Sequence, residues 1–322
     1  MTTAPAGGDA NTPGVPLPPG VRVPLTDMGN RAYLTFPGGL FPNGNVMPAV
    51  HATAGAQRAA EVRQRDVNGN LSSTGRYVLL SIGMSNTTQE FSAFVSLAAT
   101  DPAVDKLRLS IVDGAAGGRT ADAWTSPASA DYERIRTQEL TPRGLGEAQV
   151  AAVWVKVANP GPTRALPDAG ADAYTLVAQL GQIVRALRQR YPNVRQVFVS
   201  SRIYAGYANT TLNPEPYAYE SGFAVKWLVE AQIVQMGGGG TSQRAGNLDY
   251  TTVAPWVSWG PYLWADGLTA RSDGLVWVVA DLASDGTHPS TQGRTKVAMM
   301  LSDFFKTSAH TRCWFVAGQT CQ

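Results

Sequence analysis

The sequence predicts an α/β fold in which a mostly parallel sheet is covered by helices on both faces. Strand-length apolar runs alternate along the chain with segments of helical spacing, the order that builds a parallel sheet through crossover helices. Two of the runs, 77–82 and 150–158, are apolar almost without a break, as strands buried on both faces are. The residues best able to do chemistry also stand just past the ends of such runs, at the sheet edge where these folds bind ligands.

In chain order, residues 1–30 read as a flexible leader rich in Ala, Thr, Gly and Pro. Residues 31–51 mix Tyr33-Leu34-Thr35-Phe36 with Pro-Gly-Gly and Pro-Asn-Gly-Asn turns and read as an irregular wrap on the core. A short helical pattern near 57–65 leads through Asn68-Gly69-Asn70 into the first strand, 77–82, which stops at Gly83-Met84-Ser85-Asn86. An amphipathic helix over about 88–99 precedes the second strand, 106–113, whose period-two alternation ends in the glycine-rich loop 114–120. Helix is expected over 132–140, and the third strand, 150–158, ends at Asn159-Pro160-Gly161. Leu176, Leu180, Ile183, Val184 and Leu187 mark a helix over 172–190. A fourth strand follows at 194–200 and a helix at 221–236, stopped by the glycine run 237–240. Residues 247–273 read as an aromatic-rich loop, 276–279 as the last strand, and 291–305 as the closing helix after the loop 285–288. The expectation is a single catalytic domain over 31–322, with its core at about 77–305.

Composition narrows the function classes. Of 322 residues, 44% are hydrophobic and 16% charged, which suits a packed body. The formal net charge of +2, without a Lys- or Arg-rich run, predicts no nucleic-acid partner and no acidic membrane surface. No apolar run approaches the ~20 residues that span a bilayer. The first twenty residues lack the basic and apolar regions of a secretory signal. Cys313 and Cys321, the only cysteines, are either two free thiols or a disulfide clip on the carboxyl-terminal tail. The clip is the favoured reading, and with it a secreted or periplasmic location. No Cys or His pair has metal-ligand spacing, so neither metal nor cofactor is expected.

Ser85 stands at a strand-to-helix turn that would expose its hydroxyl and point helix amides at developing negative charge. An alcohol needs a base, and Asp285-Gly286-Thr287-His288-Pro289 supplies one. His288 can take the proton and return it to the leaving alkoxide, while Asp285 can accept from its Nδ1–H and fix the tautomer. Three donors are available for a carbonyl oxygen as it turns negative: the N–H of Ser85, the N–H of Gly118, and the side-chain amide of Asn159. The plainer readings are a helix cap at Ser85 or Asp285, an ordinary turn at Gly117-Gly118, and an ordinary strand stop at Asn159. His51 falls in the wrap and His310 near a disordered-looking end, which leaves His288 as the base.

These blocks resemble the SGNH hydrolases, also called GDSL-like esterases and lipases. Gly83-Met84-Ser85-Asn86 is similar to the serine block, Gly118-Arg119-Thr120 to the glycine block, 154–159 to the asparagine block, and 285–289 to the Asp-x-x-His block. The resemblance covers about 77–305 and implies a flavodoxin-like three-layer α/β/α sandwich and ester hydrolysis through an acyl-enzyme on Ser85. The serine block reads Ser-Ile-Gly-Met-Ser-Asn where Gly-Asp-Ser is usual, a form common on the carbohydrate-acetylesterase side of the family. The asparagine block lacks the usual glycine two positions before Asn159, and Gly117 could replace Gly118 as donor.

The expected substrate is therefore a small acyl ester, first of all an O-acetylated saccharide, with lipid, aryl or polyester esters as the alternative and a monomer as the working state. Trp256, Trp259 and Trp264 read as local packing or as a platform for sugar rings. The platform would also serve a non-catalytic carbohydrate-binding protein on a decayed esterase scaffold. Arg119 and Lys156 read as ion-pair partners.

Overall fold

The computed structural model describes residues 14–321. Its centre is a five-stranded, all-parallel sheet formed by β1 (Tyr77–Gly83), β2 (Leu109–Asp113), β3 (Val150–Lys156), β4 (Gln196–Val199) and β5 (Trp256–Trp259). The strand order is β2-β1-β3-β4-β5, the flavodoxin-like order, with its topological switch point beside β1. Around it lie α1 (Ala49–Ala60), α2 (Ser85–Thr100), α3 (Ala130–Arg134), α4 (Asp172–Arg190), α5 (Tyr217–Met236), α6 (Thr291–Thr307) and the short α7 (Arg312–Phe315).

Side chains alternate across a strand, and this divides the core in two. Val78, Leu80, Val153, Val155 and Val197 face α4 and α5. Leu79, Ala152, Trp154 and Phe198 face α2 and α6, where Phe91, Phe94, Leu301 and Phe305 complete the layer. The sheet is thus covered on both sides, which explains why β1 and β3 are buried at all seven positions.

Several expectations are corrected. Residues 1–13 of the expected leader lie outside the described residues, but 14–30 are no loose leader. Leu25 and Met28 are buried, the Leu25 N–H donates to the Tyr262 hydroxyl, and Val15–Pro16 pairs with Arg31–Tyr33. The first helix lies earlier than the expected 57–65, because Pro48 ends the preceding turn and an Ala-rich stretch propagates from Ala49. The helix expected over 132–140 begins as α3 and widens into π-type turns over Ile135–Leu140.

The fifth strand does not lie at the expected 276–279. It is Trp256–Trp259, inside the expected loop, whereas 276–279 has no strand neighbour and ends in a single tight turn. Trp256, Trp259 and Trp264 are therefore core residues, 0%, 4% and 0% exposed. Their indole N–H groups donate to His51 O, Leu40 O and Glu215 Oε1, so none can serve as a sugar platform.

The carboxyl-terminal tail is also packed. Cys313 and Cys321 form a disulfide, and Trp314 and Phe315 are buried against α6. His310 is not in a disordered end: with His51 it flanks the indole of Trp256. No helix among the described residues is long and apolar enough to cross a membrane.

His51 is 3% exposed and donates from Nε2 to Val257 O at 2.9 Å, and burial pushes its pKa down to about 4. The unfolded chain takes up this proton near pH ~6.5. Between about pH 6.5 and about pH 4 the unfolded state therefore binds more protons, and stability falls as pH drops, by on the order of 3 kcal/mol for this group alone. Thermal melts across that window check this. A Tm that stays constant, or a His51→Gln variant with an unchanged acid slope, would contradict it.

Candidate active site

Ser85, Gly118, Asn159 and Arg202 follow the carboxyl ends of β1, β2, β3 and β4, His288 comes from a loop with no strand directly before it, and together they border one cavity of about 300 Å³. That is at the small end of ligand pockets, which run from roughly 300 to 1,000 Å³. Met84, Ala158, Pro160 and Leu212 supply most of its apolar wall.

β1 delivers the serine. It ends at Gly83, where a Cβ would lie 2.3 Å from Lys156 O and 2.4 Å from Thr87 Oγ1, so only glycine lets the neighbouring strand come so close. The chain then turns directly into α2 with Ser85 as first residue. Thr87 Oγ1 accepts from Met84 N–H and donates to Lys156 O at 2.6 Å, pinning the turn to β3. Behind it, Glu90 of α2 and Lys156 of β3 form a fully buried ion pair at 2.5 Å. Burial pushes the Glu90 carboxyl up and the Lys156 ammonium down from their ordinary ranges, and each charge offsets part of the other's penalty. Arg119, the other expected ion-pair residue, meets Asp131 at 2.9 Å.

The loop 285–288 delivers His288. Ser85 Oγ donates to His288 Nε2 at 2.8 Å, and His288 Nδ1 donates to Asp285 Oδ2 at 2.5 Å. The second oxygen of Asp285 accepts the N–H groups of Thr287 and His288, both at 2.9 Å. Burial works against the charged carboxyl, but the hydrogen bonds from the His288 ring and from these two amides outweigh it and hold the Asp285 pKa below the usual value. The turn needs Gly286, which sits at φ 63° with Tyr207 O only 1.9 Å from where a Cβ would be. Asn86, next to Ser85, donates to Thr287 O at 2.9 Å and ties the serine turn to the loop 285–288. Asp285 is thus a partner of the histidine as well as a cap on its own turn.

As first residue of a helix, Ser85 has an N–H without an intrahelical acceptor. Gly118 borders the cavity with its backbone, and Gly117 is not among the lining residues. Asn159 departs from expectation. It borders the cavity, but its amide nitrogen donates to Asp172 Oδ1 at 3.0 Å and to Gln179 Oε1 at 2.9 Å, so both amide hydrogens are engaged. The acceptors come from α4, which the reading of the strand end alone did not bring into the site.

Asn86, Arg202 and Asn213 are site residues that the sequence reading missed. Arg202 carried a signal, since it lies three residues past β4 at the same sheet edge. Asn213 carried none: its left-handed backbone, φ 63°, and its buried, unpartnered Oδ1 are visible only in the fold.

No family model matches the sequence, and no curated protein matches it. Among solved structures, a GDSL-like lipase from Parabacteroides merdae shares 12% identity with this chain, over 74% of it and 98% of the other, at a TM-score of 0.38. An extracellular lipase from Streptomyces rimosus shares 14%, over 71% and 99%, at 0.31. A family 2 carbohydrate esterase with a carbohydrate-binding domain, from Corynascus thermopiles (Myceliophthora fergusii), shares 12%, over 72% and 66%, at 0.35. At these likenesses the reading of the site rests on its own geometry.

Proposed function

We propose that the protein is a serine ester hydrolase of the SGNH type acting on short acyl esters. One observation carries the reading: three residues from two segments some two hundred positions apart form a continuous hydroxyl–imidazole–carboxylate relay at 2.8 and 2.5 Å, with Ser85 and His288 on the wall of a small apolar cavity.

In the first half-reaction Ser85 Oγ bonds to the ester carbonyl carbon while its proton passes to His288 Nε2. Asp285 keeps the ring oriented and balances the imidazolium. The oxyanion is met by the N–H groups of Ser85 and Gly118, with the positive end of α2 behind them. Collapse breaks the carbon–alkoxide bond, and the alcohol leaves with the proton from Nε2. Water, deprotonated by the same nitrogen, then attacks the acyl-enzyme and releases the acid and free Ser85.

Asn159 has no donor to spare in this scheme. Asn159→Ala is expected to lower kcat by less than about tenfold while reducing Tm through the loss of its contacts to Asp172 and Gln179. A loss of about a hundredfold or more, the size seen for an oxyanion donor, would return Asn159 to that role.

An O-acetylated saccharide is the reading that the serine block supports. It has lost the tryptophan platform, as has the non-catalytic carbohydrate-binding alternative. A panel of p-nitrophenyl esters of rising acyl length, run beside acetylated sugars, tests the proposal. Turnover confined to short acyl groups is the expected outcome. Preference for long chains would favour the lipase reading, and no turnover together with no labelling of Ser85 by a serine-directed probe would defeat the enzyme reading. Secretion, inferred from the Cys313–Cys321 pair, is part of the proposal.

A further inference from the structure

Seven of the eight tryptophans are buried and donate their indole N–H to an acceptor inside the protein. Trp227 of α5 does neither. It is half-buried, and its N–H has no acceptor among the described residues and is not sealed from solvent. It stands in the wall of a second cavity, an open groove of about 470 Å³, with Phe36, Tyr174, Ser242, Gln243 and Arg244.

Aromatic rings make one side of this groove. Tyr174 of α4 and Trp227 stack at 5.3 Å, and Phe36 meets Trp227 edge-on at 5.2 Å. The other side is the segment 242–244, which follows the glycine run 237–240. Gln243 and Arg244 are exposed there, and neither side chain makes a hydrogen bond or an ion pair among the described residues. The Arg244 guanidinium lies 3.6 Å over the Tyr174 ring. Such a contact is weak at an exposed site, so a ligand can displace it and take the ring face. An indole N–H, an amide and a guanidinium therefore border aromatic surface with no bond to make inside the protein. A hydrocarbon would cover these groups without pairing them, and a simple anion would use the cation but not the rings. A saccharide ring suits both, since its C–H faces pack on aromatic carbon and its hydroxyls donate and accept.

We propose that this groove binds a saccharide ring, and that the ring belongs to the chain whose O-acyl ester enters the catalytic cavity. The link to catalysis rests on the acetylated-saccharide reading and gives it the aromatic platform that Trp256, Trp259 and Trp264 do not supply. The two places are close. Asp172, in the same first turn of α4 as Tyr174, holds Asn159 on the wall of the catalytic cavity, so the groove lies about one helix width, ~10 Å, from that wall.

The test uses N-bromosuccinimide, which oxidises accessible indoles, on Ser85→Ala protein, with the modified residue read by mass spectrometry. Trp227 is expected to react first, and Trp227→Phe, which keeps an aromatic ring in the stack, should remove the fast-reacting indole. Xylohexaose, cellohexaose and hexagalacturonate are the probes, and one of them at about ten times its Kd should slow the reaction about tenfold by mass action. Gln243→Ala and Arg244→Ala, both at exposed positions, should each weaken that protection by about three- to tenfold, the worth of one hydrogen bond. A different fast-reacting tryptophan, protection by none of the three probes, or protection unchanged in both variants overturns the proposal. With Ser85 in place, Arg244→Ala should raise KM for the acetylated form of the protecting hexasaccharide and leave kcat; an unchanged KM overturns the link to catalysis. Absent turnover of every ester would defeat the hydrolase reading, while protection of Trp227 would still decide the groove.

Discussion

Ser85→Ala is expected to reduce kcat by about ten thousand-fold or more, with an unchanged fold, and His288→Ala by a similar factor. The reason is local. Ser85 Oγ makes one hydrogen bond, to His288 Nε2, so the alanine leaves no buried polar group stranded and the melting temperature should move little. A serine-directed fluorophosphonate probe should label the wild-type protein at residue 85 and fail to label the alanine variant. Wild-type turnover from either variant would remove the assignment. The two losses should also fail to add in the double variant, because nucleophile and base act as one unit.

Asp285→Asn is expected to cost about ten thousand-fold in kcat while preserving the fold. Thr287 and His288 donate their N–H groups to Oδ1, so an asparagine with its oxygen in that place keeps the turn intact. Its amide nitrogen then occupies the position of Oδ2, opposite Nδ1 of the ring. Two donors cannot face each other, so the imidazole is driven to the tautomer protonated at Nε2, the nitrogen that must accept the serine proton. Circular dichroism and melting curves should match the wild type while p-nitrophenyl ester turnover collapses. A loss of less than about tenfold would show Asp285 to be only a cap on its turn.

Much of this candidate site is legible in the sequence. Ser85 and Gly118 each follow a strand end, which a parallel sheet gathers at one edge, while Asp285 and His288 are legible through their Asp-x-x-His spacing. Four of the five strands were legible, β1 and β3 because strands buried on both faces are apolar nearly throughout and β2 by its period-two alternation. The fifth was not. Trp256–Trp259 is four residues long and buried on both faces, so it has no periodicity to read, while Val276–Val279 has the more strand-like composition. What separates them is a neighbour: Trp256–Trp259 lies beside β4 in register, and 276–279 has no strand to pair with.

The amino-acid order alone gave the fold class and brought forward Ser85, His288 and Asp285 as candidates for nucleophile, base and orienting carboxylate, the serine because it follows a strand and the other two through their Asp-x-x-His spacing. Only the folded chain decided what each of the others does. Three tryptophans that could have faced a sugar are core, and Asn159 spends its amide hydrogens on α4. The division has a physical cause: strand ends are placed by local pattern, whereas exposure and hydrogen-bond partnership depend on segments that meet only when the sheet is closed in by its helices.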